Sequence, residues 1–337
     1  MTVSHPSLPD EKIGVLLINL GTPEGTDYWS VRRYLSEFLS DRRVIEMTPF
    51  LWQMILQGII LTIRPGRSGR AYQRVWDKEN NESPLRRITR DQSDELRAAL
   101  DDKRLVVDWA MRYGQPSIAQ KLETLQKEGC QKILLAALYP QYSATTTATA
   151  YDKAFDALRA MRWQPAIRTM APYHDHPSYI DALKSSLEEH LSTLGWKPDT
   201  ILASFHGLPK KYFEAGDPYY CHCAKTTRLL REAMALDDDK LQMTFQSRFG
   251  PAAWLEPYTD DVLSELAAKG RKQVVVLTPG FSADCLETMD EIENESCAHF
   301  MEAGGKNFSR VSCLNASEPG ISVLKELVRM DLSGWSI

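Results

Sequence analysis

The sequence predicts an α/β fold made of two similar Rossmann-like domains, each a parallel sheet flanked by helices. Two observations support this prediction. Short, continuous apolar runs alternate with amphipathic segments, and such runs are typical of strands that are buried on both faces of a parallel sheet. A similar succession of segments also occurs twice along the chain, which indicates a structural repeat.

Apolar runs at six places in the chain are predicted as strands. The segments between them, such as "PSIAQKLETLQKEG" and "TDDVLSELAAKG", have helical apolar spacing and end at a glycine, a residue that commonly terminates helices. Strands and helices in alternation favour a doubly wound sheet. The predicted strands are 13–20, 105–111, 132–139, 199–205, 241–246 and 272–279.

The repeat sets the predicted domain organisation. "MRYGQP" (111–116) resembles "SRFGP" (247–251), and the strands that follow close with "YPQYSATT" and "TPGFSADC". We predict an N-terminal domain over 11–150, a C-terminal domain over 151–315 and a C-terminal helix within 316–337 that packs back on the N-terminal domain. Chance similarity of strand ends is the alternative. Ligands of open α/β sheets bind at the carboxyl ends of the strands, so we expect a cleft between the domains.

Composition limits the class of protein. The 337 residues carry a formal net charge of −5, which argues against nucleic acid as a partner. The six cysteines form no C-x-x-C pair, and "MTVSHPSLPDEK" lacks the regions of a signal peptide, so a cytoplasmic protein is expected. The apolar run "FLWQMILQGIILTI" at 50–63 is shorter than the roughly 20 residues that span a bilayer. We therefore expect contact with a membrane at most.

Two predicted strand ends carry candidate ligands for a metal. His206 follows the strand at 199–205, and helical spacing in "PGFSADCLETMDEIENE" (279–295) puts Glu287, Glu291 and Glu295 on one face. Imidazole and carboxylate suit a divalent first-row metal, and two ligands without a closed set of four suit a metal that is held briefly. A solvated helix face is the alternative for the acidic row. If the row is buried, at least one of its carboxyl groups should have a raised pKa.

Taken together and in order, six segments resemble the motifs of ferrochelatases, in the form found in Gram-negative bacteria. The resemblance covers about residues 13 to 315. It implies an enzyme that inserts ferrous iron into protoporphyrin IX to form protohaem with release of two protons, the terminal step of haem biosynthesis, in a cleft between two similar domains. The segments are "LLINLGTP", "MRYG", "YPQYSATTT", "SFHGLPKKYFEAGDPY", "TFQSRFGPAAWLEPYTD" and "PGFSADCLETMDEIENE".

The resemblance also implies roles for particular residues. His206 and Glu287 correspond to the catalytic and metal-binding pair, and Glu291 and Glu295 extend from it as a path for protons or metal. The apolar segment 48–63 corresponds to the lip of the cleft, which contacts the membrane in some relatives. The residues that correspond to the porphyrin pocket are Leu20, Arg112, Tyr113 and Trp254.

Cofactors and partners follow from the same resemblance. Some ferrochelatases carry an iron–sulfur cluster, with one cysteine directly after Y-P-Q-Y-S; this chain has Ala144 there and no cysteine after Cys313, so no cluster and no other cofactor is expected. The expected partners are protoporphyrin IX and Fe²⁺, in a cytoplasmic monomer or homodimer that is at most peripheral on the inner membrane. Three alternatives stay open: a non-catalytic haem or porphyrin carrier, a chelatase for cobalt, and an enzyme for another porphyrin such as coproporphyrin.

Overall fold

The chain folds into two four-stranded sheets that are parallel throughout, which confirms the predicted fold class. A computed structural model describes residues 12–335. The strands are β1 (Lys12–Gly21), β2 (Leu105–Tyr113), β3 (Cys130–Ala137), β4 (Ala166–Thr169), β5 (Thr200–His206), β6 (Leu241–Gln246), β7 (Gln273–Leu277) and β8 (Asn307–Arg310). Their order is β2-β1-β3-β4 in the first sheet and β6-β5-β7-β8 in the second. The two halves therefore have the same topology, in agreement with the repeat in the sequence.

All six predicted strands are present, and β4 and β8 were not predicted. Each of these two strands has four residues, lies at the outer edge of its sheet and carries no fully buried residue. They lack a continuous apolar run because both strands are short and none of their residues is fully covered. Since β4 pairs with β3, the first sheet extends to Thr169, past the predicted domain boundary at residue 150.

Parts of the sequence predictions fall on residues 1–11 and 336–337, which lie outside the described residues. They are the segment without signal-peptide features, the domain start at residue 11 and the end of the C-terminal segment. Within residues 12–335, no helix combines the length and the apolar character that crossing a membrane requires.

Local sequence signals begin several of the helices. The carboxylate of Asp27 accepts hydrogen bonds from the backbone of Trp29 and Ser30 at 3.0 Å and caps the first helix, as short polar side chains do at helix N-termini. The helices are α1 (Tyr28–Leu39), α2 (Pro49–Ile55), α3 (Leu61–Val75), α4 (Pro84–Leu100), α5 (Ile118–Lys127), α6 (Thr149–Ala160), α7 (Pro177–Thr193), α8 (Lys210–Glu214), α9 (Tyr219–Met234), α10 (Thr259–Ala268), α11 (Cys297–Glu302) and α12 (Glu318–Leu332), with π-helices π1 (Leu56–Ile60), π2 (Ala144–Ala148) and π3 (Glu287–Ser296).

The two halves share one apolar core. Leu17 and Leu134 of the first sheet belong to the same buried cluster as Ala203 and Phe205 of the second. The C-terminal helix α12 lies against α4 and β3 of the first half and also against α7. Burial of apolar surface is the main stabilising term in folding, so this common core fixes the orientation of one half relative to the other.

A stacked pair of histidines joins the segment after β4 to helix α9. The rings of His174 and His222 are 3.6 Å apart and within 5° of parallel. Burial lowers the pKa of His174 to about 4, and the neighbouring His222 and Lys225 lower it further while Asp175 opposes them. Burial also lowers the pKa of His222. The pair is therefore packed as neutral rings, because a charge on either ring would be poorly solvated.

We predict that this pair makes the fold sensitive to acid. A histidine with a depressed pKa contributes its full stabilisation above its unfolded pKa of about 6.5 and loses it as the pH falls towards 4. His174→Phe keeps a ring against His222 but cannot become charged. Its melting temperature should therefore fall less between pH 7 and pH 4.5 than that of the unmodified protein, by a few degrees. The exposed His299, changed to Gln, is the control, and an equal fall in all three proteins would contradict the prediction.

Candidate active site

His206 is the last residue of β5 and lies opposite Gln246, the last residue of β6. Its Nδ1–H donates a hydrogen bond to the carbonyl oxygen of Gly207 at 2.7 Å. This bond leaves Nε2 as the basic nitrogen of the neutral ring. A Cβ atom at Gly207 would lie 2.7 Å from the carbonyl oxygen of Gln246 and 3.1 Å from Cε3 of Trp254. Glycine is therefore required next to His206, since only glycine allows this close approach.

The acidic row lies on the π-helix π3, not on the α-helix that the spacing predicts. A π-helix closes its hydrogen bonds between residues i and i+5 and occurs frequently at functional sites. Glu287 and Glu291 are partly buried, whereas the side chain of Glu295 is 58% exposed. The inner part of the row is therefore partly buried. Only Glu295, at the outer end, is exposed as on a solvated helix face.

The middle carboxylate of the row has the most perturbed environment. Burial raises the pKa of Glu291, and the charge of Glu287 raises it further; a hydrogen bond from Ser247 and the nearby His206 act in the opposite direction. The expectation that at least one carboxyl group of the row has a raised pKa is thus confirmed. His206 and Glu287 are both close enough to Glu291 to influence it electrostatically.

Gln246 and Ser247 connect the acidic helix to the end of β6, and the sequence analysis did not select either residue. Ser247 donates its backbone N–H to Oε1 of Glu291 and its hydroxyl to Oε2, both at 2.6 Å. The Gln246 side chain donates to the carbonyl oxygen of Glu287 at 2.9 Å and to Oε2 of Glu291 at 3.3 Å. Two signals were available: Gln246 ends a predicted strand, and Ser247 begins the repeated segment "SRFGP".

Residues of the first half cover the start of π3. Leu20 and Leu286 pack against the apolar cluster that contains Tyr34 and Tyr72. Burial raises the pKa of Tyr72, and the negative charge of Glu287 raises it further, as it does for Tyr34. The predicted pocket residue Leu20 thus lies beside the helix that carries Glu287.

Two other predicted pocket residues belong to a buried polar cluster around Asp41. The Arg112 guanidinium forms an ion pair with Asp41 and donates from Nε to Thr149 Oγ1 at 2.7 Å. Tyr113 is fully buried and donates its hydroxyl to Asp41 at 2.8 Å. Burial opposes ionisation of Asp41, but hydrogen bonds from Thr149 and Tyr113 and the charge of Arg112 hold its pKa below the usual value. The sequence analysis missed Asp41, because no local pattern marks a partner 71 residues away from Arg112.

Trp254 approaches the histidine from the loop after β6. It forms an isolated backbone bridge with Pro209, three residues beyond His206. Its indole packs near Gly207, and its buried Nε1 has no hydrogen-bond partner among residues 12–335. The structure therefore brings Trp254, His206, Glu287 and Leu20 into one region, while the polar groups of Arg112 and Tyr113 are held by Asp41.

Side chains of the first and second halves contact each other around this region. Arg74 of α3 forms a bidentate ion pair with Asp290 of π3, with Nε 2.6 Å from Oδ1. The Tyr212 hydroxyl donates to the carbonyl oxygen of Val44 at 2.8 Å. In the part of the chain that the structure describes, no three His, Cys, Asp or Glu side chains come together as a metal-binding group.

Solved structures with the same architecture are chelatases. SirB from Bacillus subtilis, solved with Fe³⁺, has a TM-score of 0.58 at 12% identity, and the match covers 96% of this chain and 97% of SirB. CbiX, the terminal enzyme for sirohaem biosynthesis in denitrifying bacteria, has a TM-score of 0.54 at 13% identity, covering 95% of this chain and all of CbiX. The likeness shows that this chain has the two-domain chelatase fold.

Sequence comparison defines the family. The profile of the family described as Ferrochelatase matches residues 12–332. Ferrochelatases of Agrobacterium fabrum and Brucella ovis are 54% and 58% identical to this chain over 99% of its length, and the alignments cover 98% and 95% of those proteins. This chain belongs to the ferrochelatase family, as its motifs predict.

We predict that the ion pair between Arg74 and Asp290 stabilises the junction of the two halves. Arg74→Met leaves the Asp290 carboxylate buried without its partner, which should lower the free energy of unfolding by about 2 kcal/mol. The double variant Arg74→Met/Asp290→Asn should recover part of this loss, because the unpaired charge is gone. Urea denaturation of the two single variants and the double variant measures the coupling. If the losses in free energy of unfolding of the two single variants simply add in the double variant, the prediction is contradicted.

Proposed function

We propose that this protein is a ferrochelatase that inserts ferrous iron into protoporphyrin IX to form protohaem, with release of two protons. One observation carries the proposal: in a chain of the ferrochelatase family, a histidine at a strand end lies beside a partly buried row of carboxylates. A non-catalytic carrier needs an apolar slot and an axial ligand for haem, but it has no need of such a row.

The proposed mechanism assigns the first proton transfer to His206. Metalation requires that two pyrrole protons leave and that iron exchanges water for ring nitrogens. A pocket that favours a buckled porphyrin exposes the nitrogen lone pairs. Because Nδ1 of His206 is engaged by Gly207, Nε2 is the atom that accepts a proton, a role that suits histidine near neutral pH.

The carboxylate row has the second role. Glu287 is next to the reacting centre and delivers the metal or receives a proton. Glu291 and Glu295 continue the path towards the surface, in line with the increase in exposure along the row. Iron is a substrate in this scheme, and the chain needs neither a resident metal nor an iron–sulfur cluster.

The porphyrin lies against the pocket side chains, and the lip covers its apolar rim. Leu20 and Trp254 contribute apolar contact beside His206, while Asp41 holds Arg112 and Tyr113 in place. The lip consists of α2, π1 and the start of α3. Its exposed apolar side chains, each 51–77% accessible, suit contact with the bilayer surface by a cytoplasmic protein; they are Phe50, Leu51, Met54, Ile59 and Ile63.

The central prediction concerns haem formation by the purified protein under anaerobic conditions. With ferrous iron and protoporphyrin IX, haem absorbance should appear. His206→Ala should reduce turnover by at least about 100-fold, since it removes the general base, and should leave the porphyrin dissociation constant within about twofold. Fluorescence titration of porphyrin measures that constant. Near-normal turnover by the variant would refute the role of His206, and an inactive unmodified protein would refute the proposed activity.

A second prediction concerns the lip. Leu51→Ser/Met54→Ser removes two exposed apolar side chains, so the melting temperature should change by no more than about 2 °C. Binding to phospholipid vesicles should fall by about fivefold or more, and the KM for porphyrin should rise. Phe155→Ser, at an exposed apolar position on α6, is the matched control and should change neither quantity. Unchanged vesicle binding and KM in the lip variant would contradict the proposed role.

A further inference from the structure

The turn that follows β6 has an unusual backbone conformation. Ser247 has a φ angle of 64°, in the left-handed region that residues other than glycine seldom adopt. Such conformations persist where surrounding contacts impose them, and they cluster at functional sites. The contacts that hold Ser247 in this conformation therefore indicate what the turn is for.

The hydrogen bonds of Ser247 go to Glu291 of π3. Both oxygens of Glu291 accept a hydrogen bond from Ser247 at 2.6 Å, one from the backbone N–H and one from the hydroxyl. In this left-handed turn both donors of one serine point at the same carboxylate. Short hydrogen bonds to a carboxylate are among the stronger ones in proteins.

The residue beneath Ser247 is locked in one orientation. Gln246 is buried, and its Oε1 accepts a hydrogen bond from the Ser204 hydroxyl at 2.9 Å. Its amide nitrogen must then point the other way, where it donates to the Glu287 carbonyl oxygen and to Glu291. Because Gln246 also pairs in register with His206, the same turn sets the position of the histidine and of the acidic helix.

We propose that Ser247, supported by Gln246, is a positioning residue that clamps the Glu291 carboxylate at a fixed place in the acidic row. This inference rests on the proposed function, because the clamp is given a role in the turnover that the proposed function supplies. A fixed acceptor between Glu287 and Glu295 keeps the row continuous, and the side-chain hydrogen bond of Ser247 goes to Glu291 and to none of the proposed porphyrin-pocket residues. Its loss therefore lowers kcat and leaves the KM for porphyrin unchanged.

Three substitutions of Ser247 separate this role from a structural one. Ser247→Ala and Ser247→Gly both remove the hydroxyl, so kcat should fall about tenfold in each, with the KM for porphyrin within twofold of normal. Ser247→Thr retains the hydroxyl and should keep kcat within about twofold. Stability should follow a different order: glycine relieves the backbone strain and raises the melting temperature, whereas β-branched threonine lowers it.

The order of kcat among the three variants, compared with the order of their melting temperatures, tests the clamp. A kcat that follows the hydroxyl supports the clamp, and a kcat that follows the melting temperature across the three variants overturns it. Ser264→Ala, which removes a hydroxyl from the exposed side of α10 in the same half, is the control and should leave kcat unchanged.

A measurement without turnover tests the clamp separately from the proposed activity. Glu291→Ala removes the acceptor of the Ser247 N–H, so the hydrogen exchange of that amide, followed by NMR, should accelerate by at least about tenfold. Unchanged exchange overturns the clamp, whether or not the protein makes haem. Absence of haem formation in the unmodified protein, with accelerated exchange in Glu291→Ala, overturns the proposed function and leaves the clamp supported as a structural contact.

Discussion

The common apolar core between the two sheets is the constraint on which the site depends. Side chains of β1 and β3 share it with those of β5, β6 and β7, so neither half can shift without exposing apolar surface of the other. With the halves fixed in this way, loops from both meet: the Gln141 side chain, after β3, donates to the carbonyl oxygen of Pro279, after β7. The site is therefore a product of the interface between the halves.

The buried carboxylates near this interface have two kinds of partner. The buried carboxylates of Asp41, Asp284 and Asp290 are each paired with an arginine, which compensates their charge in the interior. Glu291 instead receives hydrogen bonds from neutral donors of Gln246 and Ser247, and burial raises its pKa. A carboxylate with neutral partners can change its charge at lower cost, as a path for protons or cations requires.

The lip combines packing with exposure in one segment. Trp52, Leu56 and Leu61 are buried in a cluster that also contains side chains of α1 and Tyr72 of α3, so one face of this segment packs as a core helix does. The remaining apolar side chains face outward, which leaves a surface suited to a flat apolar ligand or a bilayer. One face of these helices therefore packs into the fold, and the opposite face is exposed.

The sequence by itself determined six of the eight strands that the structure describes, the repeat and the family, because buried parallel strands require continuous apolar runs and the motifs lie at strand ends. It also located His206 and Glu287, for the same reason. Only the tertiary structure decided what surrounds them. The π-helical winding of the acidic row, the left-handed Ser247 and the pairing of Asp41 with Arg112 involve contacts between residues 41 or more positions apart. The strands β4 and β8 were not predicted, because short and partly covered strands lack a continuous apolar run.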